Sequence, residues 1–384
     1  MSVLLLLACT RSPETIDQAP PDTADSGVDA RPAGPCPDAA RIGDRDFETV
    51  QAAVDAAEPG ANVTVCPGTW IEQVHIERDV ILAGDDAVLD GTGGVALRIG
   101  PAAAVEVHDL VVTGGTQGGV EVAAAELRLY DVVIEGNQGE SGGGLIAYNA
   151  TLEFHGVEIR GNSAERGGGL SLINTWAELN DTVVRDNTAI EGGGMATQGL
   201  GGTVGCVVSG GMFQDNSATR GGGVFATGDN RIDADLHLHD AVIQGNTAEL
   251  GGGVYEDTDY GSLLLDGVQV HDNAASDSGG GVYLTVGGFL NDTDVRGNSA
   301  TLRGGGLGSW EGWGWWFMTG GALADNSAAT GGGAWAADIG RVEWSEVDVG
   351  DNDPDTLASE TLSETLSETW SGTVTVSCAG GVCE

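Results

Sequence analysis

Rings that recur at one position of a repeat are the residues best suited to chemistry in this chain. Phe225, Tyr255, Tyr283 and Trp335 each stand two places after a Gly-Gly-Gly triplet, and Gly308 holds the same place between the last two. The segment "GSWEGWGWWFM" (308–318) adds Trp310, Trp313 and Trp315, while Trp316 falls on an inward column. A column of flat rings facing outward can receive sugar rings or the apolar patch of a partner. The same column can equally hold neighbouring strands together by cross-strand packing.

Other reactive types are sparse. His237 and His239 ("LHLH") point outward from one strand, and the aligned position one repeat beyond His239 is Asp266. Two histidines at that spacing still need a third ligand to hold a metal. Asp85-Asp86, in a turn before "AVLDG", could do acid/base work only at a defined separation across a bond. No C-x-x-C or Cys/His cluster suggests zinc. In the calcium-binding nonapeptide motif the glycines carry an Asp at fixed spacing, whereas here each triplet is followed by an apolar residue. No metal site and no cofactor is therefore expected. Calcium suits so acidic a chain, but the spacing of the acids singles out no site for it.

Charge narrows the partners. The 384 residues carry 15 Lys+Arg against 58 Asp+Glu, a formal net charge of −43. Nucleic acid requires a cationic surface and is excluded as a partner; anionic lipid is disfavoured too. No stretch reaches the ~18 apolar residues of a membrane helix. Hydrophobic residues make up 41 %, enough for a core, while 65 glycines argue against a largely helical protein. With only 10 prolines and no G-X-Y period, collagen is excluded.

The elements that position these residues come from a repeat. Triplets begin at Gly142, Gly167, Gly192, Gly221, Gly251, Gly279, Gly304 and Gly331, separated by 25 to 30 residues. Asn137, Asn162, Asn187, Asn216, Asn246, Asn273, Asn298 and Asn326 precede them, and Asn352 follows the last. Three places before each Asn stands an apolar residue, from Ile134 to Val349, and eight places before stands another, from Leu129 to Trp344. Period-2 alternation in two short runs, with a third run after each triplet, describes three strands per repeat. A single coil cannot bury its apolar face, but stacked coils can. The fold expected is all-β, a right-handed parallel β-helix with a short N-terminal capping helix. Glycine is expected where the backbone needs φ > 0 or neighbouring coils approach closely. The Asn amides are expected to bond their counterparts above and below.

The ends read differently. Phe47, Val50, Val54 and Ala57 share a helical face, which Asp46 can N-cap and Pro59-Gly60 can stop. Five segments follow: 1–9 a lipoprotein-type signal, 10–40 a disordered tether, 41–136 the cap with irregular coils, 137–352 the regular repeats, and 353–384 a low-complexity segment and closing cap. Cys36 with Cys66, and Cys378 with Cys383 across "AGGV", are disulfide candidates; Cys206 is an inward, small, buried residue.

Three resemblances add to this. "VLLLLACT" (3–10) resembles a bacterial lipobox, which implies a lipid on Cys9. "FETVQAAVDAA", followed by "PG" and "NVTVCPGTW", resembles the opening of pectin-lyase-like β-helix proteins. The repeats, with "GGGL" or "GGGV" and with "FQDN" (213–216), are similar to those of bacterial polymorphic outer membrane proteins. These resemblances imply a surface-exposed, adhesive protein, at the bacterial outer membrane through a lipid or free outside the cell. The function expected is a monomeric, non-enzymatic scaffold binding a glycan or a surface protein, touching membrane only through its lipid. The competing reading is a polysaccharide lyase or glycoside hydrolase of pectin-lyase-like fold with a degenerate acidic site.

Overall fold

The alternating runs become strands, and each repeat becomes one coil of a parallel β-helix. The computed structural model describes residues 36–384 apart from 200–205, 229–235, 258–262, 310–313, 337–338, 355–356, 360–369, 380–381 and 384. In one coil the strands are Glu126–Tyr130, Val133–Glu135 and Leu145–Tyr148. Each pairs in parallel with its counterpart in the next coil: Leu129 with Phe154, Ile134 with Ile159, Leu145 with Leu170. The third strands build a twelve-stranded sheet, and the first and second strands share a larger one. Every member of the two expected core columns, Ile134 to Val349 and Leu129 to Trp344, is at most 2 % exposed.

The larger sheet is bent between first and second strands by a residue at positive φ. Asp131, Gly156, Asp181, Gly210, Asp240, Gly267, Asp292 and Gly320 occupy this bend in successive coils. Their alternation has a steric reason: a Cβ on Gly156 or Gly267 would lie 2.6 or 2.5 Å from the carboxylate oxygen of the preceding Asp. Two carboxylates stacked there would also repel. Asp85-Asp86 sits at the same kind of bend, inside the long strand Val80–Asp90, not in a free turn.

The corner after the second strand is held by a ladder of buried amides. Asn187 Oδ1 accepts the backbone N–H of Asn162 at 2.9 Å and its Nδ2 at 3.1 Å. Asn187 Nδ2 donates in turn to Asn216 Oδ1 at 3.1 Å and to the Ile159 carbonyl at 2.9 Å. The pattern continues to Asn352. It satisfies corner groups that water cannot reach.

The triplet beyond the corner needs glycine for two reasons. Gly167 has φ +60, and a Cβ on Gly168 would meet the carbonyl oxygens of Gly193 and Thr188 at 2.6 Å each. Backbone meets backbone there, and no side chain fits.

A helix, Val50–Ala56, covers the N-terminal end with Val50, Ala53 and Val54 buried. Its cap is Thr49, not Asp46: Thr49 Oγ1 accepts the Ala52 N–H at 3.0 Å. Asp46 instead lies in the strand Arg45–Phe47, where Arg41 Nε holds its carboxylate at 2.7 Å. The Glu72 carboxylate supplies further acceptors for the N–H groups of Val50 and Gln51. Cys36 and Cys66 form a disulfide with Cα atoms 5.8 Å apart. At the other end, Trp370–Ala379 pairs antiparallel with Ile339–Val349 and terminates the parallel stack. Cys378 and Cys383 face one another in a hairpin by backbone register; their side chains, and that of Cys206, lie outside the described residues, as do Cys9, the tether as far as 35 and most of the low-complexity segment. Among the described residues, no helix is long and apolar enough to cross a membrane.

Candidate functional site

The outer face of the twelve-stranded sheet carries the predicted column in register. Ile146, Ser171, Ala196, Phe225, Tyr255, Tyr283, Gly308 and Trp335 follow one another along it. Phe225, Tyr255 and Tyr283 stack with centroids 5.6 and 5.1 Å apart. The parity is as expected, but the exposure is not. Phe225 is 1 % exposed, Tyr255 6 %, Tyr283 5 % and Trp335 2 %. They are no open platform.

The cause lies in the residue before each triplet. Ser141, Arg166, Glu191, Arg220 and Leu250 bridge from coil to coil as a ladder of their own. The chain turns back at the first glycine, so this ladder arches over the rings. Arg166 lies 5.6 Å from the Phe225 centroid, Arg220 5.9 Å from Tyr255, and Arg303 4.5 Å from Trp335. Leu250 packs on the same cluster. Glu191 sits between two of the cations, 2.5 Å from Arg166 Nη2 and 3.0 Å from Arg220 Nη2. Guanidinium over ring and carboxylate between guanidinia both fix the roof.

Open space remains beside this roof. A groove of about 910 Å³ runs from Thr116 to Gln198, lined by Ile146, Tyr148, Ile173 and Ile190 with Glu121, Glu140, Glu165 and the ion pair of Arg166 with Glu191. A smaller one, about 430 Å³, lies between Arg220 and Arg303 against the edges of Tyr255 and Tyr283. The larger groove has no His, Lys or Cys in its lining, and the Ser141 hydroxyl is bonded to that of Ser171 at 2.9 Å. The titratable groups of this lining are its glutamates, Arg166 and Tyr148.

The remaining candidates do not join it. Trp310 and Trp313 lie outside the described residues. Trp315 pairs by backbone with Gly287, its side chain likewise not described, and Trp316 is buried inward. On the larger sheet, His239 contacts Asp266 and Asp240 at 3.2 Å each. Among the described residues no three His, Cys, Asp or Glu side chains converge to hold a metal.

No protein-family model matches this chain. No curated protein matches it either. The resemblances of its opening and of its repeats therefore rest on the quoted motifs alone. Among solved structures, PfbA, a surface adhesin of Streptococcus pneumoniae, aligns with 87 % of this chain and 94 % of its own, at 8 % identity and a TM-score of 0.38.

One cluster escaped the sequence reading. On the outer face of the larger sheet, His108, Tyr130 and His155 stack with centroids 4.6 and 5.0 Å apart. Beside them Arg128 lies between Glu106, at 3.5 Å, and Glu153, at 3.1 Å, and His155 Nε2 stands 2.8 Å from Glu153 Oε1. Burial and the neighbouring glutamates hold the Tyr130 hydroxyl above its ordinary pKa. The hydrogen bond from His155 lowers the Glu153 carboxyl; burial opposes it, and Arg128 lowers it further. A carboxyl lowered in the folded state stabilises the fold above its unfolded pKa, and that contribution is lost as pH falls through the folded value. His155→Ala is expected to raise the Glu153 carboxyl toward the ordinary range in a carboxyl-carbon NMR titration, and Arg128→Gln by less. An unmoved Glu153 in His155→Ala would contradict this arrangement.

Proposed function

We propose that this chain is a non-enzymatic β-helical scaffold displayed at a bacterial cell surface, where it holds an extended partner along the outer face of its twelve-stranded sheet. The observation that carries this reading is the groove between Thr116 and Gln198. It crosses four coils, and from Glu140 to Gln198 its lining side chains are positioned by in-register strands and by the bridges that precede the triplets. Rigid elements of this kind present a preorganised surface, which lowers the ordering cost of binding. The Cys36–Cys66 disulfide fits an oxidising compartment, and a lipid on Cys9 would tether the scaffold.

The test is incubation of the purified chain with a panel of acidic and neutral polysaccharides, assayed for new reducing ends and for unsaturated products. The reading expects neither. Turnover that is abolished by one acidic substitution, such as Glu165→Gln, would replace the scaffold with a carbohydrate-active enzyme.

A further inference from the structure

We infer that the groove between Thr116 and Gln198 docks an extended, cationic and apolar segment of a partner protein. This rests on the scaffold reading and names the class of its partner. The apolar lining is the first ground. Ile146 forms the floor and is only 6 % exposed, so the accessible apolar surface is Ile173, half-buried on the sheet face, Tyr148, 36 % exposed, and Ile190 on the rim, 52 % exposed. Branched aliphatic side chains pack against other side chains and against lysine stems. Sugar rings prefer flat aromatic faces; the ring column is roofed, and the groove's lining holds a single ring, Tyr148.

Charge is the second ground. Glu121 is held by Arg98 at 2.9 Å, and Glu191 by Arg166 and Arg220. Glu140 and Glu165 have no cation partner among the described residues and are exposed on the rim. They occupy the same position in adjacent coils, next to the bridged pair Ser141 and Arg166, and so lie ~5 Å apart along the axis. Both carboxylates therefore stand on one short stretch of rim, where an ammonium or guanidinium is attracted by each. Burial first, and then the charges of Glu121 and Glu140, raise the pKa of the Tyr148 hydroxyl, leaving it a neutral donor. The whole-chain charge of −43 draws cationic segments in and repels acidic polysaccharides.

Dimensions agree. Four coils span about 15–20 Å, the length of roughly five extended residues. The strands below are paired on both sides, so the partner is read by its side chains and not by strand addition.

The test is fluorescence anisotropy of a labelled eight-residue peptide of alternating Lys and Leu, with its Glu-Leu counterpart as control, on the full chain at about 150 mM salt. The Lys-Leu peptide is expected to bind and the Glu-Leu peptide not. Glu140→Gln with Glu165→Gln should weaken binding about tenfold or more, and Ile190→Ser several-fold with no change of charge. Glu126→Gln with Glu178→Gln, on the larger sheet, should leave affinity within about twofold. Circular dichroism confirms the fold of each variant. Equal loss in both double variants would mean diffuse attraction to net charge and would overturn the inference. So would unchanged binding in Ile190→Ser, no binding of the Lys-Leu peptide, or tighter binding of a glucosamine oligomer. Polysaccharide turnover would sink the scaffold reading instead, whatever peptide the groove holds.

Discussion

Asn216→Ala is expected to destabilise the chain by about 3–5 kcal/mol, as truncation of the other fully buried rungs of the ladder should. The side chain makes four hydrogen bonds, all buried. Its Oδ1 accepts from the Asn187 backbone N–H at 3.0 Å and from Asn187 Nδ2 at 3.1 Å. Its Nδ2 donates to the Val184 carbonyl at 2.9 Å and to Asn246 Oδ1 at 3.0 Å. Truncation leaves the Asn187 N–H without its acceptor at a site that is 0 % exposed, and a buried orphan donor costs about 1–3 kcal/mol by itself. Loss of the other three bonds adds to this. Asn352 makes as many bonds but is itself half-buried, so that water can replace part of them, and Asn352→Ala should cost less, about 2 kcal/mol. Urea unfolding followed by far-UV circular dichroism measures both. Stacked coils unfold in part as neighbours, so amide hydrogen exchange should also quicken first in the coils flanking residue 216. Equal costs at 216 and 352 would show that the ladder is not what holds the corner.

Gly193→Ala is expected to cost about 3–4 kcal/mol, at the upper end of overpacking effects. Its Cβ would lie 2.5 Å from the Gly222 carbonyl oxygen and 2.6 Å from that of Ser217. Both are backbone atoms of the next coil, pinned by ladder hydrogen bonds on each side, so nothing can move aside cheaply. Gly161→Ala separates this effect from backbone conformation. Gly161 has φ +61, but its Cβ would meet nothing within 4 Å, so only the left-handed strain of about 1–2 kcal/mol remains. If Gly161→Ala proved as costly as Gly193→Ala, close approach of the coils would not explain the triplets.

The architecture could be read in the sequence because each coil repeats the same physical problem. Phe154 and Leu179 had to point inward once their columns were aligned, and they do. The Asn ladder followed from the same alignment. Exposure of the outer rings could not be read that way. Parity tells which face Phe225 and Tyr255 occupy, not what folds over that face. The signal was present in "ERGGG", "EGGG" and "RGGG" (165–169, 191–194 and 220–223), where charged residues precede the triplets in alternating sign. Those side chains reach the rings only because the first glycine reverses the chain. The His108–Tyr130–His155 stack stayed hidden for a related reason: His108 belongs to a coil before the first triplet, outside the aligned columns. Helix capping failed locally. Asp46 has the right chemistry for a cap, but Arg41 holds it in a strand, and Thr49 takes the role.

The central claim is that successive repeats are stacked in register, so that distance along the molecule counts coils and not residues. Pulsed electron–electron resonance between spin labels on one outward column tests it most directly. Glu135, Arg160, Arg185, Gln214, Gln244, His271 and Arg296 are paired in register, coil after coil. Labels at 135 and 244, four coils apart, should lie about 19 Å from one another, and labels at 160 and 296, five coils apart, about 24 Å. A constant increment of ~5 Å per coil, the same for repeats of 25 and of 30 residues, is the predicted result. Distances that scale with the number of intervening residues, or that fail to rise steadily along the column, would contradict it.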